Sequence, residues 1–105
     1  MNFKELADRI GLDEEDYREL VELFMETGMA DFDQLKTALD AGNGEQVARS
    51  AHTISGASGN LGLMDLHQVA KRIELSASEG KLDGLPADVD TLKGYFESLG
   101  QVVSA

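Results

Sequence analysis

The apolar residues between Tyr17 and Leu39 recur at steps of three and four, and this period constrains the fold more than any other feature of the sequence. The full set is Tyr17, Leu20, Val21, Phe24, Gly28, Phe32, Leu35 and Leu39. Such a repeat keeps the apolar positions on one face and is typical of an amphipathic helix. Asp13 is a suitable N-cap residue, and the three acidic residues after it suit the positive end of a helix dipole. The pattern predicts one long helix over 13–41, with a bend allowed at Gly28.

Three further segments have the same period, and a shorter N-terminal segment predicts one more helix. Pro86 fits the first turn of a helix, and Gly62 fits the left-handed position that ends one. Because the connections are short, neighbouring helices are expected to run antiparallel. The predicted fold is all-α: an antiparallel up-and-down four-helix bundle with a short extra N-terminal helix, in a single domain spanning 1–105. The predicted bounds are 3–10 for the short helix and 45–60, 63–79 and 86–103 for the remaining bundle helices.

The charge balance and the absence of cysteine exclude several classes of function. The formal net charge is -11, whereas a protein that binds nucleic acid needs a basic surface for the phosphate backbone. Residues 1–46 hold 13 acidic and 4 basic residues, and residues 47–105 hold 7 and 5, so most of the negative charge lies in the first half. No cysteine is present, and no apolar run reaches the roughly 18 residues that a membrane span needs. We expect a cytoplasmic monomer that binds neither nucleic acid nor membrane.

His52 and Gly56 are the most informative pair of residues. They are four residues apart, so a helix places them on the same face, one turn from each other. A glycine inside a helix costs about 1 kcal/mol relative to alanine. Clearance is the simplest reason to keep it, because the missing β-carbon leaves room beside the imidazole ring. A histidine with such room suits a nucleophile that accepts a bulky group such as a phosphoryl group; the alternative is an ordinary surface histidine.

The segment from His52 to Gly62 resembles the motif of the histidine-containing phosphotransfer (HPt) domains of two-component phosphorelays. It reads His-Thr-Ile-Ser-Gly followed by Ala-Ser-Gly-Asn-Leu-Gly, with the glycine four residues after the histidine and an aliphatic-glycine pair at the end. The resemblance continues from Leu63 to Gly80, and the helix order fits the whole chain. One position departs from the family pattern, because Ser55 stands where the family usually has lysine.

The resemblance implies that His52 accepts the phosphoryl group and that Glu74 contacts its imidazole. Glu74 follows His52 by 22 residues, and the family has a Glu or Gln at that place. A carboxylate that accepts a hydrogen bond from one ring N–H leaves the lone pair of the other nitrogen free to attack phosphorus. The sequence does not identify which nitrogen attacks.

Three further side chains are candidate phosphate contacts, because a phosphoryl group carries up to two negative charges and three acceptor oxygens. Arg49 lies one turn before the histidine, Ser55 one turn after it, and Lys71 one turn before the glutamate. The Ser55 hydroxyl can donate one hydrogen bond but lacks the charge of the usual lysine. We therefore hypothesise that Arg49, Lys71 or Arg72 supplies part of that charge. Each base also has the plainer interpretation of a solubilising surface residue.

His67 is the other histidine of the chain, and we interpret it as an ordinary surface residue. With no cysteine present, two histidines are poor support for a metal ion, so no metal site is predicted.

The function that the resemblance implies is reversible phosphoryl transfer between His52 and the aspartate of response-regulator receiver domains, with a hybrid sensor histidine kinase upstream. The chain has no Gly-Lys-Ser/Thr phosphate loop, so we expect a phosphocarrier rather than an enzyme. We expect no cofactor of its own, with Mg²⁺ on the receiver partner. Two alternatives stay open. One is a non-phosphorylated helical adaptor, which Ser55 favours; the other is the phosphoacceptor domain of a chemotaxis-type kinase, which the end of the chain at Ala105 disfavours.

Overall fold

The computed structural model describes residues 2–104, and within that range it contains five α-helices and no strand. No helix in this range is both long enough and apolar enough to cross a membrane. Each observed helix bound lies within one residue of the predicted one, and the predicted all-α fold class is confirmed. The helices are α1 (Phe3–Arg9), α2 (Glu14–Asp40), α3 (Gly44–Asn60), α4 (Met64–Ser78) and α5 (Leu85–Ser104).

The four long helices close into a bundle in which each helix packs on two others. α2 contacts α3 and α5, and α4 contacts the same two helices. Each long helix buries one apolar stripe toward a shared core, in which Leu35, Ile54, Ile73 and Leu92 are almost completely inaccessible. Burial of an aliphatic side chain of this size stabilises the fold by about 1.5–3 kcal/mol. The core therefore fixes the two middle helices, α3 and α4, side by side.

The turn between α3 and α4 is set by a glycine in the left-handed conformation. Gly62 has a φ of +74°, and the backbone N–H of Leu63 donates back to the carbonyl of Ser58 at 3.0 Å. Such a turn satisfies a carbonyl at the end of the first helix and lets the chain reverse at once. The predicted role of Gly62 is confirmed, and the turn makes α3 and α4 antiparallel neighbours.

Side-chain caps mark the starts of α2 and α3, as the sequence indicated for Asp13. The Asp13 carboxylate accepts a hydrogen bond from the backbone N–H three residues on at 2.8 Å, and the Asn43 side chain does the same for α3 at 3.1 Å. A cap of this kind typically stabilises a helix by about 1 kcal/mol. The cap at Asn43 fixes where α3 begins and, through the helical repeat, which face carries His52.

Gly28 permits close packing and does not interrupt α2, which is continuous through that position. A β-carbon there would lie 2.8 Å from Cε1 of the Phe96 ring, closer than real atoms approach. The Phe24 ring stacks on the same Phe96 ring, with centroids 5.6 Å apart. Gly28 therefore makes room for an aromatic side chain of α5. One residue of the predicted stripe, Leu20, is 42% exposed.

The short helix α1 closes one end of the bundle. The ring of Phe3 packs edge-to-face on Tyr17, with centroids 5.6 Å apart, and the guanidinium of Arg18 lies over the same phenylalanine ring. Arg18 also donates hydrogen bonds to the carbonyls of Val102 and Val103, at the C-terminal end of α5. These contacts tie α1, α2 and α5 together at that end.

Candidate functional site

His52 lies on α3 at the edge of its buried stripe. Val47, Ala51 and Ile54 of the same helix are fully buried, and His52 follows Ala51 directly. Each residue turns the helix by about 100°, so this position sits beside the core and not within it. The His52 side chain is 71% exposed. The helix therefore fixes the backbone of this histidine while leaving its ring open to a partner molecule.

Glu74 on α4 contacts the ring of His52 across the helix interface. Glu74 Oε2 lies 3.0 Å from His52 Nδ1, and the glutamate side chain is only 18% exposed. A carboxylate accepts hydrogen bonds, so Nδ1 is the protonated nitrogen of the neutral ring in this arrangement. The other carboxylate oxygen, Oε1, is buried without a hydrogen-bond partner among the described residues. Its neighbour is the ammonium of Lys71, with Nζ 3.5 Å away.

Gly56 lies one turn after His52 and is exposed. Among residues 2–104, no heavy atom lies within 4 Å of the place where a β-carbon would be, once the two chain neighbours and the helix's own nearby backbone are set aside. Packing within the chain therefore gives no reason for a glycine here, although glycine costs the helix about 1 kcal/mol relative to alanine. The space beside the imidazole is open on this side.

Ser55 does not face that open space, and the expectation that its hydroxyl contacts a phosphoryl group is corrected here. Ser55 is only 3% exposed, and its Oγ lies 3.1 Å from Nδ1 of His67 on α4. The same ring nitrogen donates to the backbone carbonyl of Ser55 at 2.7 Å. The serine hydroxyl belongs to the packing between the two helices.

His67 is likewise not an ordinary surface residue. Its ring is partly buried, and a β-carbon at Gly59 would lie 3.0 Å from its Nδ1. His67 therefore joins α4 to the glycine- and serine-rich last turns of α3. The sequence contains a signal for this contact: Gly59 follows His52 by seven residues, and His67 precedes Glu74 by seven. In antiparallel helices two such pairs lie two turns apart along one line of contact.

The two arginines proposed as phosphate contacts are each paired with another carboxylate. Arg49 donates to Glu45 at 2.6 Å on the exposed face of α3. Arg72 donates twice to Asp88 of α5, at 3.1 and 2.8 Å, and the hydrogen bond and the charge of Asp88 both raise the pKa of the guanidinium. Among residues 2–104, no three histidine, cysteine or carboxylate side chains are grouped closely enough to hold a metal ion. Lys71 is the cation that shares a carboxylate with His52.

Comparison with known proteins places the chain in a family. The model of the Hpt domain matches residues 19–102, and the chain belongs to the Hpt domain family. The crystal structure of histidine-containing phosphotransfer protein B (HptB) from Pseudomonas aeruginosa PAO1 is similar, with a TM-score of 0.85 and 26% sequence identity. That similarity covers 99% of this chain and 90% of the other. No curated protein sequence matches the chain. The family resemblance seen in the sequence is therefore confirmed.

Proposed function

We propose that the protein carries a phosphoryl group on His52 and exchanges it with the aspartate of response-regulator receiver domains. The observation that carries the proposal is the contact between His52 Nδ1 and Glu74 Oε2, 3.0 Å long, on an imidazole that is 71% exposed. Membership of the Hpt domain family and the similarity to a histidine-containing phosphotransfer protein support it. The contact leaves Nε2 as the nitrogen that attacks.

The chemistry follows from that tautomer. The lone pair of Nε2 forms a bond to phosphorus, the bond between phosphorus and the aspartyl oxygen breaks, and the aspartate leaves as a carboxylate. Nδ1 keeps its proton, so the ring becomes a cation that the Glu74 carboxylate stabilises. Because the aspartate carboxylate can attack the same phosphorus in return, the step is reversible.

The remaining catalytic groups are expected to come from the receiver domain. Phosphoryl transfer depends mainly on positioning and on charge stabilisation, and we expect Mg²⁺ on the receiver to supply much of the latter. In this proposal the chain is a phosphocarrier and not a kinase, fed through a receiver domain attached to a hybrid sensor histidine kinase. Transfer requires both partners to share a compartment, and we propose the cytoplasm.

The open space at Gly56 suits the approach of a receiver domain. Gly56 has no β-carbon, and no described side chain fills the space next to it, so the helix leaves room one turn from the imidazole. If packing within the fold required a glycine at position 56, a side chain would lie close to it, as Phe96 lies close to Gly28. The cost of the glycine is thus explained by what approaches from outside.

A transfer assay tests the proposal with a panel of phosphorylated receiver domains and Mg²⁺. We expect acid-labile label on the wild-type protein and on His67→Gln, and at least about a hundredfold less on His52→Gln, because the nucleophile itself is removed. Equal labelling of His52→Gln would contradict the assignment of His52. A folded wild-type protein that binds a receiver domain but takes no label would instead be a helical adaptor.

A further inference from the structure

We infer that Lys71 supplies the positive charge that neutralises a phosphoryl group on His52, an assignment that rests on the proposed function. Two contacts fix the antiparallel register of α3 and α4: His52 meets Glu74, and the backbone of Gly59 meets the ring of His67. Position 56 lies between the two α3 residues, and Lys71 lies between the two α4 residues. Lys71 therefore stands opposite the glycine turn, on the other wall of the open space.

The ammonium of Lys71 is held near the site by charge. Its Nζ lies 3.5 Å from Glu74 Oε1, and no hydrogen bond forms between the two groups. Oε1 is itself buried and attracts the nearest cation, because a buried carboxylate oxygen without a donor is costly. The Lys71 side chain is 49% exposed, so it keeps the freedom to turn. Its ammonium therefore lies next to Glu74 but can move to another partner.

The other candidate phosphate contacts make hydrogen bonds to other groups of the protein. Arg49 is paired with Glu45 on its own helix, and Arg72 makes two hydrogen bonds to Asp88 of the neighbouring helix. The hydroxyl of Ser55 is buried against His67. Among these four side chains, Lys71 alone contacts the carboxylate that also contacts the phosphoacceptor.

Phosphorylation changes the charges that Lys71 faces. The ring that attacks phosphorus must be neutral and so adds no charge before transfer, and the charges of Lys71 and Glu74 cancel. After transfer the phosphoryl group carries up to two negative charges and the ring one positive charge. Glu74 then faces the cationic ring, and a rotation of the lysine side chain brings its ammonium to the phosphoryl oxygens. Lys71 exchanges one anionic partner for another as the phosphoryl group arrives.

Phosphoramidate tests this without a receiver domain, so that altered docking does not enter the result. His52 Nε2 forms the bond to phosphorus as the P–N bond of zwitterionic phosphoramidate breaks and neutral ammonia leaves. We expect Lys71→Gln to lower the rate of phosphohistidine formation about five- to tenfold, since a charge-assisted contact to the phosphoryl group is lost. Lys71→Arg should stay within about twofold of wild type, because the charge is kept.

Lys93→Gln is the matched control. Lys93 on α5 is about as exposed as Lys71, and this substitution removes the same charge from a different helix. This variant should react within about twofold of wild type, because the Lys93 ammonium faces Glu97 of its own helix and an exposed charge is screened by salt. The NMR signal of the Lys71 ammonium should shift on phosphorylation, whereas a purely structural lysine would not respond. A wild-type rate for Lys71→Gln, or an equal loss in Lys93→Gln, overturns the assignment. Failure to label the wild type, or full labelling of His52→Gln, would instead overturn the proposed function and this assignment with it.

Discussion

Two histidines connect α3 and α4, and they do so in opposite ways. His52 projects from α3 toward Glu74, whereas His67 projects from α4 toward Ser55. Each lies near a glycine of α3. The turn beside His52 contains Gly56, which has open space around it, and the ring of His67 presses against Gly59, where a β-carbon would lie 3.0 Å away. The same pair of residue types thus occurs twice along one helix interface.

The difference shows how the interface divides packing from chemistry. His67 is partly buried and uses its Nδ1–H to hold the carbonyl of Ser55, so its ring is part of the structure. His52 is 71% exposed, and among the described residues its ring makes a hydrogen bond through Nδ1 alone, so the rest of the ring faces outward. A histidine–glycine pair indicates a reactive site only when the neighbouring helix leaves the space open.

The largest expected effect on stability comes from replacing His67 with alanine, and the same replacement at His52 is its comparison. His67→Ala should lower the free energy of unfolding by roughly 1–3 kcal/mol, because it removes a partly buried ring and its bond to a carbonyl. His52→Ala should change it by less than about 0.5 kcal/mol, as expected for an exposed helix position. Urea denaturation of the two variants measures both values. Equal losses would show that His52 is also a packing residue.

The next effect concerns Glu74 and the rate of phosphoryl transfer. Glu74→Ala should lower the transfer rate about tenfold, because the ring loses both its orienting acceptor and the carboxylate that stabilises its positive charge. The transfer rate of Glu74→Gln should lie between those of the wild type and Glu74→Ala, since the amide oxygen still accepts a hydrogen bond from Nδ1–H. Single-turnover transfer from a phosphorylated receiver domain gives these rates. An unchanged rate in Glu74→Ala would mean that the observed contact has no role in transfer.

The smallest expected effect is the difference in stability between alanine variants of Gly56 and Gly59. Gly56→Ala should stabilise the fold by about 0.5–1 kcal/mol through helix propensity, and it should slow transfer a few-fold by occupying the open space. Gly59→Ala should lose that gain, because its β-carbon meets a ring that is held by a 2.7 Å hydrogen bond. Denaturation midpoints compare the two variants directly. A Gly59→Ala variant stabilised as much as Gly56→Ala would show that the His67 ring moves aside easily.

Much of the fold and the central pair of the site were predicted from the sequence. The periodicity of apolar residues and the capping residues placed every helix end within one residue. The spacing of His52 and Glu74, together with the family resemblance, predicted the contact that the structure contains. The environments of Ser55 and His67 were predicted wrongly, because both lie on the flank of an apolar stripe. A position there faces either the solvent or a neighbouring helix, and the local pattern is the same in both cases.

The sequence by itself determined the helices, their order and the residue that most resembles a phosphoacceptor, because periodicity, caps and glycine turns act over a few neighbouring residues. The tertiary structure decided which flank of each helix meets its neighbour. A change of one position rotates a side chain by about 100° around the helix axis, so small differences in packing angle move Ser55 inward and leave His52 outside. The packing of α4 on α3 also brought Glu74, together with Lys71 one turn before it on α4, to His52, whereas Arg49 and Arg72 pair with other carboxylates.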